Sequence, residues 1–371
     1  MNRRAFMQLA AASSTLAAKD DAPLYRVVSS HAPAPGSSMP GRYRGATIRV
    51  HSAGVIDAET DRVDRAVAGK MLAEGMRALT GAKDNRDAWA GFFSPQDVVG
   101  IKVNCSGAPA IRSTPEVVGG IVENLVGIGI KPTQIYIYER FLDQLLSVHY
   151  ERFVPEGVHI VAVETPRGSI LGYDPKTYVE VNFFGEEDTR SNLVRLVTER
   201  FTKIINVPNL KEHQASGVTG CLKNIAYGNF SNVARSHLLE KTNTRSFIGT
   251  LAAVEPLRSK TVLHIMDGLC GVWHGGPFST EKKYRFYPKL MMFGTDPVAM
   301  DRILLEIIEA KRNAEGALSL WDRSMANVDR RAHQDMHKST FLREPGHIQY
   351  AADLGLGEHD RGRIRLTEIE I

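Results

Sequence analysis

The residues best suited to do chemistry crowd into one stretch, Asn206 to Asn224, which reads NVPNLKEHQASGVTGCLKN. His213 and Lys223 flank SGVTG there, beside Asn209, Lys211, Glu212 and Asn224. Gly217 and Gly220 let the backbone pass close to a ligand, and Thr219 offers a hydroxyl. A histidine serves as acid, base or metal ligand, whereas a lysine neutralises an anion or, once desolvated, attacks an electrophilic carbon. The competing reading is a solvated, glycine-punctuated loop with a helix cap. The apolar run FTKIINVP before it reads as a buried strand, so the cluster falls at a strand end, where open α/β sheets hold ligands.

Other predicted strands end in the same way. Lys102 and Asn104 close DVVGIKVNC, and Arg112, Ser113 and Thr114 open the helix that follows. A guanidinium beside a helix amino terminus suits a carboxylate or phosphate, and the plain alternative is a capped helix with a surface arginine. Asp267 and His274 sit in MDGLCGVWHGGP after another strand, where an aspartate is commonly a turn residue. Glu139 and Arg140 end a further strand and can simply pair with each other. Asp301 reads as an exposed helix residue and His237 as a lone surface histidine. Parallel topology would line these ends along one rim. The expectation is acid/base or electrostatic work by His213, Lys223 and Glu139. Substrate contacts are expected from Lys102, Asn104, Arg112, Thr114, Asn209, Lys211, Thr219, Asn224, Asp267 and His274.

The elements that must position these residues follow a βα rhythm. ATIRVHS predicts a first strand, and Thr60 to Leu79 a helix through Val63, Val67, Met71, Leu72 and Met76. Asp97 to Arg140 predicts strand, helix and strand, with Thr114 as cap and Pro115 in the first turn, a right-handed crossover that builds a parallel sheet. VHIVAVET, a hairpin around YVEVNFF, TVLHIMDGL and KLMMFG predict further strands. Asp296 and Pro297 open a long helix. Residues 311–344 read as polar loops and short helices, and the tail as a helix closed by glycine with a last edge strand. The fold class is therefore α/β, mostly parallel sheets with flanking helices, in one or two lobes around a cleft over residues 46–371.

Composition bounds the function. The 371 residues are 43% hydrophobic, normal for a folded chain, and 46 basic against 42 acidic residues leave a formal charge of only +4. No basic run interleaved with aromatics argues for nucleic acid. Cys105, Cys221 and Cys270 never form a C-x-x-C pair, so no iron–sulfur cluster or cysteine zinc site is expected. MNRRAFMQLAAASSTLAA, residues 1–18, places Arg3 and Arg4 before an alanine-rich segment, as in a twin-arginine leader cleaved after Ala17 or Ala18. That predicts the twin-arginine export machinery as a partner and a periplasmic or otherwise extracytoplasmic protein. Residues 19–45, with HAPAPGSSMPG, predict an extended linker, and no other run approaches the ~20 apolar residues of a membrane span.

Taken in order, IKVNCSG, the strand–helix–strand unit behind it, NVPNLKEHQASGVTGCLKN, IMDGLCGVWHGGP and GTDPVAMD resemble the bacterial and archaeal family catalogued as domain of unknown function 362, over roughly Val98 to Gly357. Many members of that family add a ferredoxin-like module, whose cysteines this chain lacks. The chain is also similar to the nickel-pincer lactate racemases through IRSTP, HQASGVTGCLK and RSH. That similarity implies Arg112 on a substrate carboxylate, His213 moving a proton, Lys223 tethering a nickel-pincer nucleotide and His237 binding nickel. Where the racemases place a second catalytic histidine, this chain has Glu139 and Arg140. The resulting expectation is an exported enzyme acting on a small carboxylate-bearing anion, racemase-like or redox. Its rival is a non-catalytic protein that holds a solute, anion or metal.

Overall fold

The computed structural model describes residues 23–33, 39–237, 242–278, 281–332 and 335–371. The leader, with Arg3, Arg4 and the Ala17–Ala18 cleavage point, lies outside the described residues.

Apolar β-branched runs make the sheet. Val99–Lys102, Ile135–Phe141, His159–Glu164 and Lys203–Asn206 pair in parallel, as the βαβ pattern predicts. Thr261–Val272 joins Lys203–Asn206 in parallel. Leu290–Gly294 runs antiparallel between Thr261–Val272 and Ala46–His51, and Arg365–Glu370 adds a parallel edge strand beyond. These strands belong to an eleven-stranded sheet to which residues from both halves of the chain contribute. Strands buried on both faces need apolar residues on both, which explains the near-continuous Val and Ile of this sequence.

Each face of the sheet carries its own core. Ile101, Ile137, Ile205, Ile265 and Phe293 pack under the helices Arg65–Thr80 and Pro115–Gly127. Tyr138, Ile204, Met266 and Met292 pack against Gly220–Tyr227, Thr244–Ala252 and Pro297–Ala314 on the other side. The result is a helix–sheet–helix sandwich.

Local chemistry moves several boundaries from their predicted places. The first long helix starts at Arg65 because Asp64 caps Ala66 and Val67, while Thr60 is held in a turn by Asp57. Asp296 caps its helix through the Ala299 amide and also accepts the Gly45 and Glu358 amides, tying both ends of the domain to that turn. Thr114 occupies the cap position but makes no side-chain cap bond; the Asp267 carboxylate accepts the Thr114 amide instead, at 2.6 Å. The Pro-rich connector is not wholly irregular, since Arg26–Val28 pairs antiparallel with Tyr173–Glu180 in a small accessory sheet. Tyr25, stacked on Phe247 and bonded to Ser246, fixes it there. No helix among the described residues is long and apolar enough to cross a membrane.

Candidate active site

The stretch 206–224 is not a solvated loop. Asn209–His213 is a strand, Gly217–Val218 folds back on it, Gly220–Tyr227 is a helix, and every residue from Val207 to Asn224 is buried. Alternation along Asn209–His213 sends Lys211 and His213 to one side and Glu212 to the other. The helix start depends on Asp301, which is fully buried rather than exposed on its own helix. Its carboxylate accepts the Cys221 and Leu222 amides at 2.6 and 2.9 Å. Gly220, at φ 56°, has no room for a side chain, because a Cβ there would lie 2.2 Å from Asp301 Oδ1.

On the Lys211 side, the strand ends form a closed polar network. Lys211 Nζ donates to Asn104 Oδ1 and the Ser106 carbonyl, both at 2.7 Å. Asn104 donates to Asn224 at 2.9 Å, Asn224 donates to Asn206 at 2.7 Å, and Asn206 donates to the Cys221 carbonyl and His264 Nδ1. Beside it Lys102 pairs with Glu139 at 2.9 Å, and Glu139 also accepts the Arg140 and Cys105 amides. Glu139 therefore does not pair with Arg140, which binds Glu164 and the Tyr173 hydroxyl instead. Lys102 and Glu139 are fully committed to each other and to backbone. They hold the strand ends together, and the substrate-binding and catalytic roles expected of them do not fit that geometry.

Lys223 stands at the edge of this network and differs from its neighbours. It is nine-tenths buried, its Nζ lies 4.8 Å from the centre of the Tyr227 ring, and it has no hydrogen-bond or ion-pair partner among the described residues. Burial, with the charges of Lys211 and Arg140, draws its pKa down to about 7. Lys211 is drawn to about 7 as well, by burial that the Glu139 charge opposes.

The charge of this amine is felt by three imidazoles, those of His213, His237 and His347. His213 Nδ1 accepts the Ala215 and Ser216 amides at 3.1 and 3.3 Å, so its proton resides on Nε2 and the ring is a donor. Two backbone donors on Nδ1 exclude an imidazolium and leave Nε2 without a lone pair for a metal or a proton. This narrows the acid/base role expected of His213 to hydrogen-bond donation. His237, whose ring centre lies 5.3 Å from that of His213, has the opposite tautomer. Its Nδ1 faces the Ala234 carbonyl at 3.3 Å and, at 3.2 Å, the Ser236 hydroxyl, whose own proton goes to the Val233 carbonyl, and its enclosed Nε2 lone pair has no partner among the described residues. His347 repeats the arrangement, with Nδ1 on the Glu344 carbonyl and Nε2 unpartnered. Burial, reinforced by the Lys223 charge, pushes His237 to about 3 and His347 to about 4, so both rings are neutral bases at physiological pH. His237 is thus no bland surface histidine.

The remaining candidates lie elsewhere. Arg112 donates to the Pro109 carbonyl and lines a small cavity with Asp61, Thr114 and Cys270, away from Lys223, so the expected meeting of Arg112, His213 and Lys223 is only half realised. Asp267 is a turn residue that also holds the Leu269 amide, and Asn209 bonds three carbonyls, those of Arg112, Asp267 and Cys270. Thr219 is buried with an unpartnered hydroxyl. His274 belongs to the Glu212 side of the strand, beside Arg312. Sequence reasoning missed Arg312 and Arg343, which come from the segment read as polar periphery, and His347, which opens the tail helix; only packing reveals them. The three thiols are free. No group of three His, Cys, Asp or Glu side chains among the described residues is arranged to hold a metal.

Of the groups a nickel-pincer nucleotide would need, Lys223 and His237 fit. Among the described residues the amine has no bonding partner, and the imidazole presents a bare Nε2 backed by Nδ1–H on a carbonyl, the usual support of a metal-ligating histidine. Arg112 does not join them. No curated protein matches the chain. A family model matches residues 99–306, more than half of the chain and all of the strand ends just described. By that match the chain belongs to the family described as domain of unknown function (DUF362).

Proposed function

We propose that this protein is an enzyme that performs acid/base chemistry on a small carboxylate-bearing molecule, with Lys223 as its reactive group. The observation that carries this reading is a nine-tenths buried amine with a pKa near 7 and no bonding partner among the described residues, whose charge acts on imidazoles of opposite polarity. A buried amine that is half deprotonated at neutral pH takes a proton from a substrate carbon or hydroxyl, and the ammonium it becomes then attracts the substrate carboxylate. His213, fixed as an Nε2–H donor, steadies the oxygen on which charge develops. His237 offers an acceptor for a substrate hydroxyl. Were a nickel-pincer nucleotide bound, Lys223 and His237 would hold it, and it would supply a redox-active centre. Intact-mass and metal analysis of protein from its native host tests that refinement.

A thermal-shift titration with small 2-hydroxy and 2-oxo carboxylates tests the main reading. Saturable stabilisation of the wild type, lost in Lys223→Met and His213→Phe, is expected. Equal shifts in all three proteins would refute it, and binding without any turnover would place the protein among non-catalytic solute binders. Export through the twin-arginine machinery is part of the same proposal, motivated by Arg3 and Arg4. Arg3→Lys with Arg4→Lys should trap the protein in the cytoplasm.

A further inference from the structure

The opposite side of the Asn209–His213 strand holds a second cluster with the reverse deficit, in which donors outnumber acceptors. Arg343 is almost completely buried, yet only its Nε engages Glu212, at 3.4 Å, and both Nη1 and Nη2 lack an acceptor among the described residues. The Glu212 carboxylate cannot turn to serve them freely, because Oε2 holds the Gly276 amide at 2.8 Å. Arg312, also buried, donates through Nη1 to the Trp273 carbonyl and to His274 Nδ1, at 2.9 and 3.2 Å. A guanidinium only donates, so His274 carries its proton on Nε2, and that buried N–H likewise finds no acceptor. The Glu212 carboxylate joins Arg343 to the backbone just after His274, since it takes both Arg343 Nε and the Gly276 amide, and burial with the charges of Arg312 and Arg343 pushes His274 down to about 3, which keeps the ring neutral. Of the two buried guanidiniums only Arg343 binds a carboxylate directly, that of Glu212, while Arg312 donates to the Leu318 and Trp273 carbonyls and feels Glu212 and Glu309 only as neighbouring charges.

Buried donors left open cost stability unless something accepts from them. A planar fork of two Nη groups beside an N–H matches an oxyanion and nothing cationic or apolar. We propose that Arg343 Nη1 and Nη2 and His274 Nε2 form a binding site for a compact oxyanion, a carboxylate or phosphate group. This site is distinct from the Lys223 centre and stands on its own observations.

Isothermal titration of the full chain with inorganic phosphate, sulfate and acetate, at ionic strength held constant with chloride, tests it. Saturable binding of at least one anion is expected, and the preference between phosphate and acetate identifies the source. Glu212→Gln combined with Arg343→Met, which removes the charge pair together, should weaken binding at least about tenfold, the scale of one charge-assisted hydrogen bond. His274→Phe should weaken it by a smaller factor and decides the matter if the double variant does not fold. No saturable binding beyond chloride, or unchanged affinity in His274→Phe, would overturn the proposal.

Discussion

Lys211 and Lys223 are both buried and both drawn to about 7, yet they sit in regions of opposite character. Lys211 donates to Asn104, Ser106 and Pro277 within a chain of amides in which nearly every donor has its acceptor. Lys223 lies over the Tyr227 ring, acts through its charge on three imidazoles and bonds to none of the described residues. A depressed pKa alone therefore does not distinguish a scaffold lysine from a reactive one. What distinguishes them is whether the lone pairs and N–H groups around each are spoken for, because a satisfied network rigidifies and an unsatisfied one waits for a ligand.

That contrast can be broken most severely on the satisfied side. Glu139→Gln leaves the Lys102 ammonium buried without its counter-charge and should cost about 3–5 kcal/mol, read as a lowered urea midpoint with unchanged slope. Asn224→Ala cuts the amide chain in the middle, stranding Asn104 and Asn206, and should cost about 1–3 kcal/mol by the same measurement.

Changes on the unsatisfied side should go the other way. The unfolded chain binds a proton on Lys223 up to pH ~10.4, but the folded chain only up to about 7. Wild-type stability accordingly rises with pH across that window. Lys223→Met should raise the melting temperature most below pH 7, with the gain fading as pH approaches that upper limit. His237 and His347 extend this test to the acid side with the same sign, since their folded values of about 3 and 4 lie below the free imidazole range. The unfolded chain takes up those protons first, so stability falls as pH drops from ~6.5 toward 3. His347→Phe should shift the acid-unfolding midpoint downward by a few tenths of a pH unit.

The sheet was legible because its strands are unbroken Val/Ile runs such as VVGIKV and KIIN, bounded by helix signals as clear as Asp296–Pro297. That the central stretch folds in on itself was legible too, since His213 lies against His237 and the Lys223 charge acts on both rings. What each group does there was not. The tautomer of His213 depends on where the Ala215 and Ser216 amides point, the partner of Glu139 on a neighbouring strand, and the burial of Asp301 on a helix packed against its own. Arg112 misled because a helix-start arginine is read from local sequence, while its reach is set by the turn at Pro109. Arg343 and His347 carry no local signal, as both gain their meaning from strand Asn209–His213 more than a hundred residues earlier.

The end of the helix that carries Lys223 bears on how the sequence can drift. Gly228 adopts an ordinary helical backbone, so torsion does not demand glycine there; space does, because a Cβ would come within 2.1 Å of Lys102 Cε. The first methyl group added at that site would evict the ammonium from Glu139 and unlatch two strands at once. Position 228 is therefore a bystander to the chemistry whose mutational freedom is set by its surroundings: a descendant that trades away Lys102 removes one obstacle to a side chain there, while the Asn224 carbonyl, 2.4 Å from that Cβ, keeps the other in place.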